Sequence, residues 1–260
     1  MEILLYILTG AFVGLAVGLT GVGGGSLMTP LLLLFGYPPH IAIGTDLLYA
    51  SLTKASGVYI HHRQRTINWR VVAILGAGSL PAAGLTILVL HYFFTDSQAY
   101  SHLLTSSLGA MLMLTALVLL AKKWLVPARS QAGGDQLSFY QRHTPLLTWL
   151  MGILLGTFVT LSSVGAGAIG TAILLVLYPS LMSSRIVGTD LAHAVPLTLV
   201  AGLGHVFLGN VDFHLLFSLL IGSLPAIYVG TRLGSRLPDR VMHPVLASTL
   251  LALGVKYAFF

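Results

Sequence analysis

GTDL at residues 44–47 returns as GTDL at 188–191, and GSLPA follows 34 residues further on in both places, at 78–82 and at 222–226. Upstream, VGGG at 22–25 returns as VGAG at 164–167, and the step from this cluster to GTDL is two residues longer in the second copy. One unit is written twice in 260 residues. A repeated apolar unit with a glycine-interrupted segment in corresponding positions is the pattern of a membrane carrier with its site between the repeats.

Composition agrees on the solvent. Charged residues make up 8% and hydrophobic ones 56%, and the mean hydropathy is +0.90. Ordinary soluble domains carry about 25% charged residues, so lipid is the medium that this chain fits. The absence of cysteine excludes disulfides, thiolate metal sites and cysteine nucleophiles. Glu2 stands where a cleavable signal would be basic, so the first apolar stretch reads as part of the mature protein.

A membrane-crossing helix needs about 20 apolar residues. Six stretches meet that length: roughly 45–63, 70–94 and 102–125, then 188–208, 212–233 and 241–259. Each trio is preceded by a broken unit. Residues 3–20 are apolar, glycines interrupt, and a short run continues over 26–35; residues 146–163, the VGAG cluster and 168–177 repeat this. Second arms of about 10–13 residues are short for a crossing and predict a re-entrant or broken hairpin. The fold class expected is an all-α polytopic membrane protein of two inverted repeats, each a glycine-broken hairpin plus three transmembrane helices. Residues 1–125 form the first repeat, 126–144 a linker and 145–260 the second repeat.

Charge sets the orientation. With residue 1 outside and each hairpin returning to its own side, Arg63, Arg65 and Arg70 face the cytoplasm. So do Lys122, Lys123, Arg129 and Arg142 around the linker, and Arg185, Arg232, Arg236 and Arg240 in the second half. The opposite loops hold Asp96 and Asp212 and no Arg or Lys. This is the positive-inside distribution, and it requires the two halves to be inverted. It predicts a multi-pass protein of the cell (inner) membrane with a cytoplasmic linker and both termini outside. The net charge of +6 is then a topology signal and calls for no nucleic acid.

Broken helix in hydrocarbon is tolerated only where it is buried or lines a cavity. The clusters Gly23, Gly24, Gly25 and Gly165, Ala166, Gly167 each precede a short helical arm. Free amides at such an end carry the positive pole of the helix dipole, and glycine allows a ligand close approach. Two such ends meeting near the midplane would bind an anion with few fixed charges. Glycine serves close helix packing equally well. Ser26, Thr29, Ser162 and Ser163 either offer hydroxyls to a ligand or bond back to helix carbonyls.

Lys54 sits mid-span, where a charge costs about 2.5–3.5 kcal/mol on insertion scales. It balances an anionic substrate, pairs with a helix carboxylate or snorkels to an interface. Thr45 with Asp46, and Thr189 with Asp190, open their helices in this reading and suit N-caps; the rival role is coupling or gating by a proton or cation. His193 lies three residues after Asp190 and is either a boundary residue or a proton relay. Pro81 and Pro225, inside the two GSLPA copies, predict matching kinks.

The stretches GAFVGLAVGLTGVGGGSLMTPLLLLFG, GTDLLYASLTKASGVYIHHRQRTINW and GSLPAAG, with the echo TFVTLSSVGAGAIGTAILL and VGTDL, resemble the TauE/SafE family of membrane permeases. That resemblance implies export of sulfite or small organosulfonates, about eight helical crossings, and a pathway core at Gly23–25, Gly165–167 and the two GTD triplets. Ala166 stands where the first cluster has Gly24.

The sequence therefore predicts an alternating-access permease for a small inorganic or organosulfur anion, with no cofactor and no metal. The substrate-binding set is Gly23, Gly24, Gly25, Ser26, Lys54, Ser163, Gly165, Ala166 and Gly167. Coupling or gating falls to Thr45, Asp46, Thr189, Asp190 and His193. The alternatives are an anion channel on the same site and a small-cation or proton-coupled transporter using Asp46 and Asp190. An intramembrane enzyme lacks its signatures: there is no GxSxG and no HExxH.

Overall fold

The computed structural model describes residues 2–20, 25–94, 100–125, 134–234 and 239–259. Gly23, Gly24, Asp96, Arg236 and residues 126–133 fall outside them, as do the side chains of Ser26, Lys122, Lys123, Arg142, Arg232 and Arg240.

Among the described residues the chain is helical: α1 Glu2–Thr20, α2 Gly25–Leu34, α3 Pro39–Arg63, α4 Trp69–Phe93, α5 Ser101–Leu125, α6 Gly134–Ser162, α7 Ala168–Leu177, α8 Ser183–Phe207, α9 Phe213–Gly234 and α10 Asp239–Phe259. Among the described residues, five helical stretches are long and apolar enough to cross a membrane, in α4, α5, α6, α8 and α9. Helix α3 has 25 residues but carries Asp46 and Lys54 within it, and it is not among the five. Helices α2 and α7 have 10 residues each, about 15 Å at 1.5 Å per residue, half of a hydrocarbon core of about 30 Å.

The helix boundaries correct one expectation. Asp46 and Asp190 do not open their helices: α3 starts at Pro39 and α8 at Ser183. Pro39 supplies the pre-set φ that suits a first helical position, so the carboxylates lie two turns inside. Beyond α3 and α8 the chain turns by the same device. Thr66 N donates to His61 O and Arg65 N to His62 O; Asn210 N donates to His205 O and Gly209 N to Val206 O. These are Schellman closures through a left-handed residue, Arg65 at φ +53° and Gly209 at φ +74°.

Equivalent helices pack on each other or swap partners. Helix α1 lies against α9 and its counterpart α6 against α4, while α3 faces α8 and α5 faces α10. The α1–α9 and α4–α6 pairs run parallel. A Cβ at Gly10 or Gly14 would strike the backbone of Leu219 or Ser223, and one at Gly152 or Gly156 that of Leu75 or Ser79. Gly222 and Gly78 meet the Ile7 and Trp149 carbonyls in the same way. The α3–α8 pair is antiparallel, with Leu48 on Gly202 and Gly57 on Leu191; in α5–α10, Gly109 meets Ala258 and Gly254 meets Met113.

The bundle is apolar outside, and inside it polar side chains are buried among three apolar clusters. Phe12, Leu85, Leu117, Leu154, Leu203 and Ile221 are exposed, whereas Thr29, Asp46, Lys54, Asp190, His193 and His205 are buried. That arrangement inverts the soluble pattern and suits lipid as solvent.

Candidate functional site

The polar centre forms where the α6–α7 break meets α3. Helix α6 ends at Ser162, and the backbone then passes through Ser163 (φ +58°), Gly165 (φ +112°) and Gly167 (φ +139°) before α7 starts. Glycine holds two of these positions because positive φ strains residues with a Cβ. Gly170 N donates to Gly165 O and Thr171 N to Gly167 O. The amides just before them precede the first helical bonds, so the positive end of α7 points into the break.

Lys54 reaches this break from α3. Its Nζ donates to Ala166 O at 2.8 Å, and it is 5% exposed. Asp190 and Asp46 both lie within Coulombic reach of its charge. The α3–α8 register separates the two carboxylates by about 18 Å along the bundle at 1.5 Å per residue, with Lys54 between them.

Each carboxylate is held by the short arm of its own repeat. Thr29 Oγ1 of α2 donates to Asp46 Oδ2 at 2.5 Å, and Thr171 Oγ1 of α7 donates to Asp190 Oδ2 at 2.9 Å. Thr29 and Thr171 occupy the same place after the two glycine clusters. The copies then diverge. Asp46 Oδ2 also accepts from Ser163 Oγ at 3.0 Å, a bond from the other repeat. Asp190 Oδ1 packs against Gly170, where any Cβ would overlap it. Among the described residues, Oδ1 of both aspartates is buried without a hydrogen-bond partner.

Thr45 and Thr189 work elsewhere. Thr45 Oγ1 accepts from Asp212 N at 3.1 Å and Thr189 Oγ1 from Asn68 N at 2.9 Å. Each threonine thus ties the turn that starts α9 or α4 of the opposite repeat. The glycine before each makes room: a Cβ at Gly44 would overlap Asn210 O, and one at Gly188 would press on His61 and Thr66. These contacts put exposed Arg63, Arg65, Arg70 and Arg185 at one end of the α3–α8 pair and Asp212 at the other. Thr45→Val and Thr189→Val should each destabilise the bundle by about 1 kcal/mol, the scale of a lost helix-cap bond. Thermal unfolding in detergent measures this. Unchanged stability with lost transport would instead assign the hydroxyls to gating.

His193 is buried, with Nε2 2.8 Å from Ser79 Oγ of α4 and Nδ1 unpartnered. Its counterpart Tyr49 faces Ser223, the counterpart of Ser79. A recess of about 440 Å³ between α4 and α8 reaches His193 past Gly76, Pro81 and Pro196. Pro81 and Pro225 both lie inside helices, α4 and α9, on exposed faces. Ser162 Oγ bonds back to Phe158 O. The sequence reading missed Thr171 and Ser79; the repeat offset from Thr29 marks the first, and a place in the first GSLPA copy marks the other.

A lipid-compatible bundle that buries a lysine and two aspartates at broken helices has the build of a polytopic membrane transporter. The family model described as Sulfite exporter TauE/SafE matches residues 6–257, and the chain belongs to this family of membrane transporters. The probable membrane transporter protein YjnA of Bacillus subtilis (strain 168) is 40% identical over 250 residues, 96% of this chain and 97% of the relative. A second protein of that organism, the probable membrane transporter protein YdhB, is 31% identical over 265 residues, 98% of this chain and 100% of the relative. A probable membrane transporter protein of Methanocaldococcus jannaschii is 26% identical over 272 residues, 96% of this chain and 93% of the relative. No solved structure matches the chain significantly.

Proposed function

We propose that this transporter is a permease for a small anion, with sulfite or a related sulfur oxyanion or organosulfonate as substrate. The observation that carries the reading is the Lys54 ammonium held at the start of α7 by one backbone carbonyl. An ammonium has three donors, and an anion arriving at the α7 amides takes the place of Ala166 O as its partner. Ser163 and the Gly165–Ala166–Gly167 backbone line that position. Gly23, Gly24, Gly25 and Ser26 supply the corresponding half from the first repeat. The name of the family supports sulfur oxyanions as the class.

Transport proceeds by rocking one repeat against the other. Residues 1–125 and 145–260 are the two units, inverted relative to each other and joined by a cytoplasmic linker at 126–144, with both termini outside the inner membrane. The antiparallel α3–α8 and α5–α10 pairs support inversion, and the arginines gathered at one end support the side.

The test is uptake of radiolabelled sulfite into proteoliposomes, corrected for protein-free vesicles. Saturable uptake, accelerated by unlabelled sulfite on the far side, is expected of a carrier. Flux without that acceleration points to a channel on the same site. No flux in folded, inserted protein rejects sulfite as the substrate.

A further inference from the structure

We infer that Asp190 is the proton-coupling residue and that each anion crosses with one proton. The inference rests on the anion-permease reading and deepens it. Three charged groups share the centre: Lys54 and Asp46 from α3, and Asp190 from α8. Without substrate, the positive charge of Lys54 lies within Coulombic reach of Asp190. An anion that binds Lys54 uses up this charge. Asp190 is then a buried carboxylate without a counter-charge, a state that is expensive in a low-dielectric interior and is relieved by taking up a proton.

The surroundings of the two aspartates decide which one responds. Asp46 Oδ2 accepts two hydroxyl donors, Thr29 and Ser163, so its ionised form keeps support when Lys54 is engaged. Among the described residues Asp190 has one donor, Thr171; its Oδ1, like that of Asp46, is buried without a partner, and it is set against Gly170. Facing Asp190 from the neighbouring elements are Lys54 of α3, the Thr171 hydroxyl of α7, and His193 on its own helix, which is bonded to Ser79 of α4; Asp46 lies beyond Lys54. His61 of α3 abuts Gly188, near the start of α8. Sodium suits the place less well, because the aspartate and one hydroxyl fall far short of a six-oxygen shell.

The pairing is balanced. One proton and one monovalent anion enter together, the proton on a carboxylate oxygen of Asp190 and the anion at Lys54, and both leave on the other side with no net charge moved.

Proteoliposomes with the membrane potential clamped at zero test this, with radiolabelled sulfite as the probe and protein-free vesicles subtracted. The wild-type protein should accumulate sulfite when the outside is acidic. Asp190→Asn should lose at least tenfold of that accumulation while sulfite-for-sulfite exchange persists, because exchange needs no net proton movement. Thr171→Val removes the one donor that favours ionised Asp190, so it should shift the pH midpoint of accumulation upward. Accumulation retained in Asp190→Asn, or wild-type accumulation that follows sodium or, with the clamp released, the membrane potential and shows no response to pH, would overturn the coupling and leave the permease intact. Absence of exchange in the wild type would reject the sulfite permease itself. If Asp190→Asn does not fold, an unshifted pH profile in Thr171→Val overturns the proposal.

Discussion

Lys54→Met should abolish sulfite flux while leaving the bundle as stable as before or more so. Methionine fills a similar volume without a charge to desolvate, and Asp190, left without its counter-charge, takes up a proton, so a buried pair is neutralised as a whole rather than broken into one uncompensated charge. The hydrogen bond to Ala166 O is lost, a modest loss set against the cost of holding an ammonium away from water. For transport the balance reverses. Losing about 3 kcal/mol of charge-assisted anion binding lowers affinity roughly 100-fold. Thermal unfolding and proteoliposome flux on the same preparation separate the two effects. Loss of stability in step with flux would make Lys54 a structural ion rather than a substrate contact.

The second large effect is on assembly. Gly14→Leu, Gly156→Leu and Gly222→Leu should each prevent formation of a stable bundle. Glycines along α1, α6 and α9 let each helix touch the backbone of its partner: Gly14 meets Ser223, Gly156 meets Ser79 and Gly222 meets Ile7. Small residues are what permits such approach in lipid, where association depends on packing and not on a hydrophobic gain between helices. The atoms struck are backbone, so no side chain can swing aside and the helices must separate. Gly84→Leu is the control, because nothing lies within 4 Å of its added carbon. Size-exclusion profiles in detergent should show the three variants aggregated and Gly84→Leu monodisperse. Normal behaviour of Gly14→Leu and Gly156→Leu would contradict the packing.

Much of this plan is legible in the chain because it is written twice. The duplicated GTDL and GSLPA marked equivalent helices, and the VGAG cluster marked the place where α6 gives way to α7. The apolar stretches located the long helices to within a few residues, except that α6 starts at Gly134 rather than 146, inside the expected linker, and except at the starts of α3 and α8. There the local pattern misled: a Thr-Asp pair ahead of an apolar run has the chemistry of an N-cap. Pro39 and Ser183 start the helices instead, and the aspartates find their donors in hydroxyls 17 and 19 residues upstream. Contacts at that separation, or from Ser163 to Asp46 across 117 residues, leave no local signal. The exchange of Thr45 and Thr189 onto turns of the opposite repeat is hidden for the same reason. The glycines of α1 and α6 were visible at four-residue spacing, but their partners, backbone carbonyls of α9 and α4, carry no sequence signature.

The central claim is that a small anion replaces Ala166 O as the partner of Lys54 at the start of α7. Equilibrium binding of radiolabelled sulfite to purified full-length protein, wild type beside Lys54→Met, tests it most directly. One saturable site per chain, lost in Lys54→Met while its thermal unfolding is undiminished, is the result predicted. Equal binding by both proteins would contradict it.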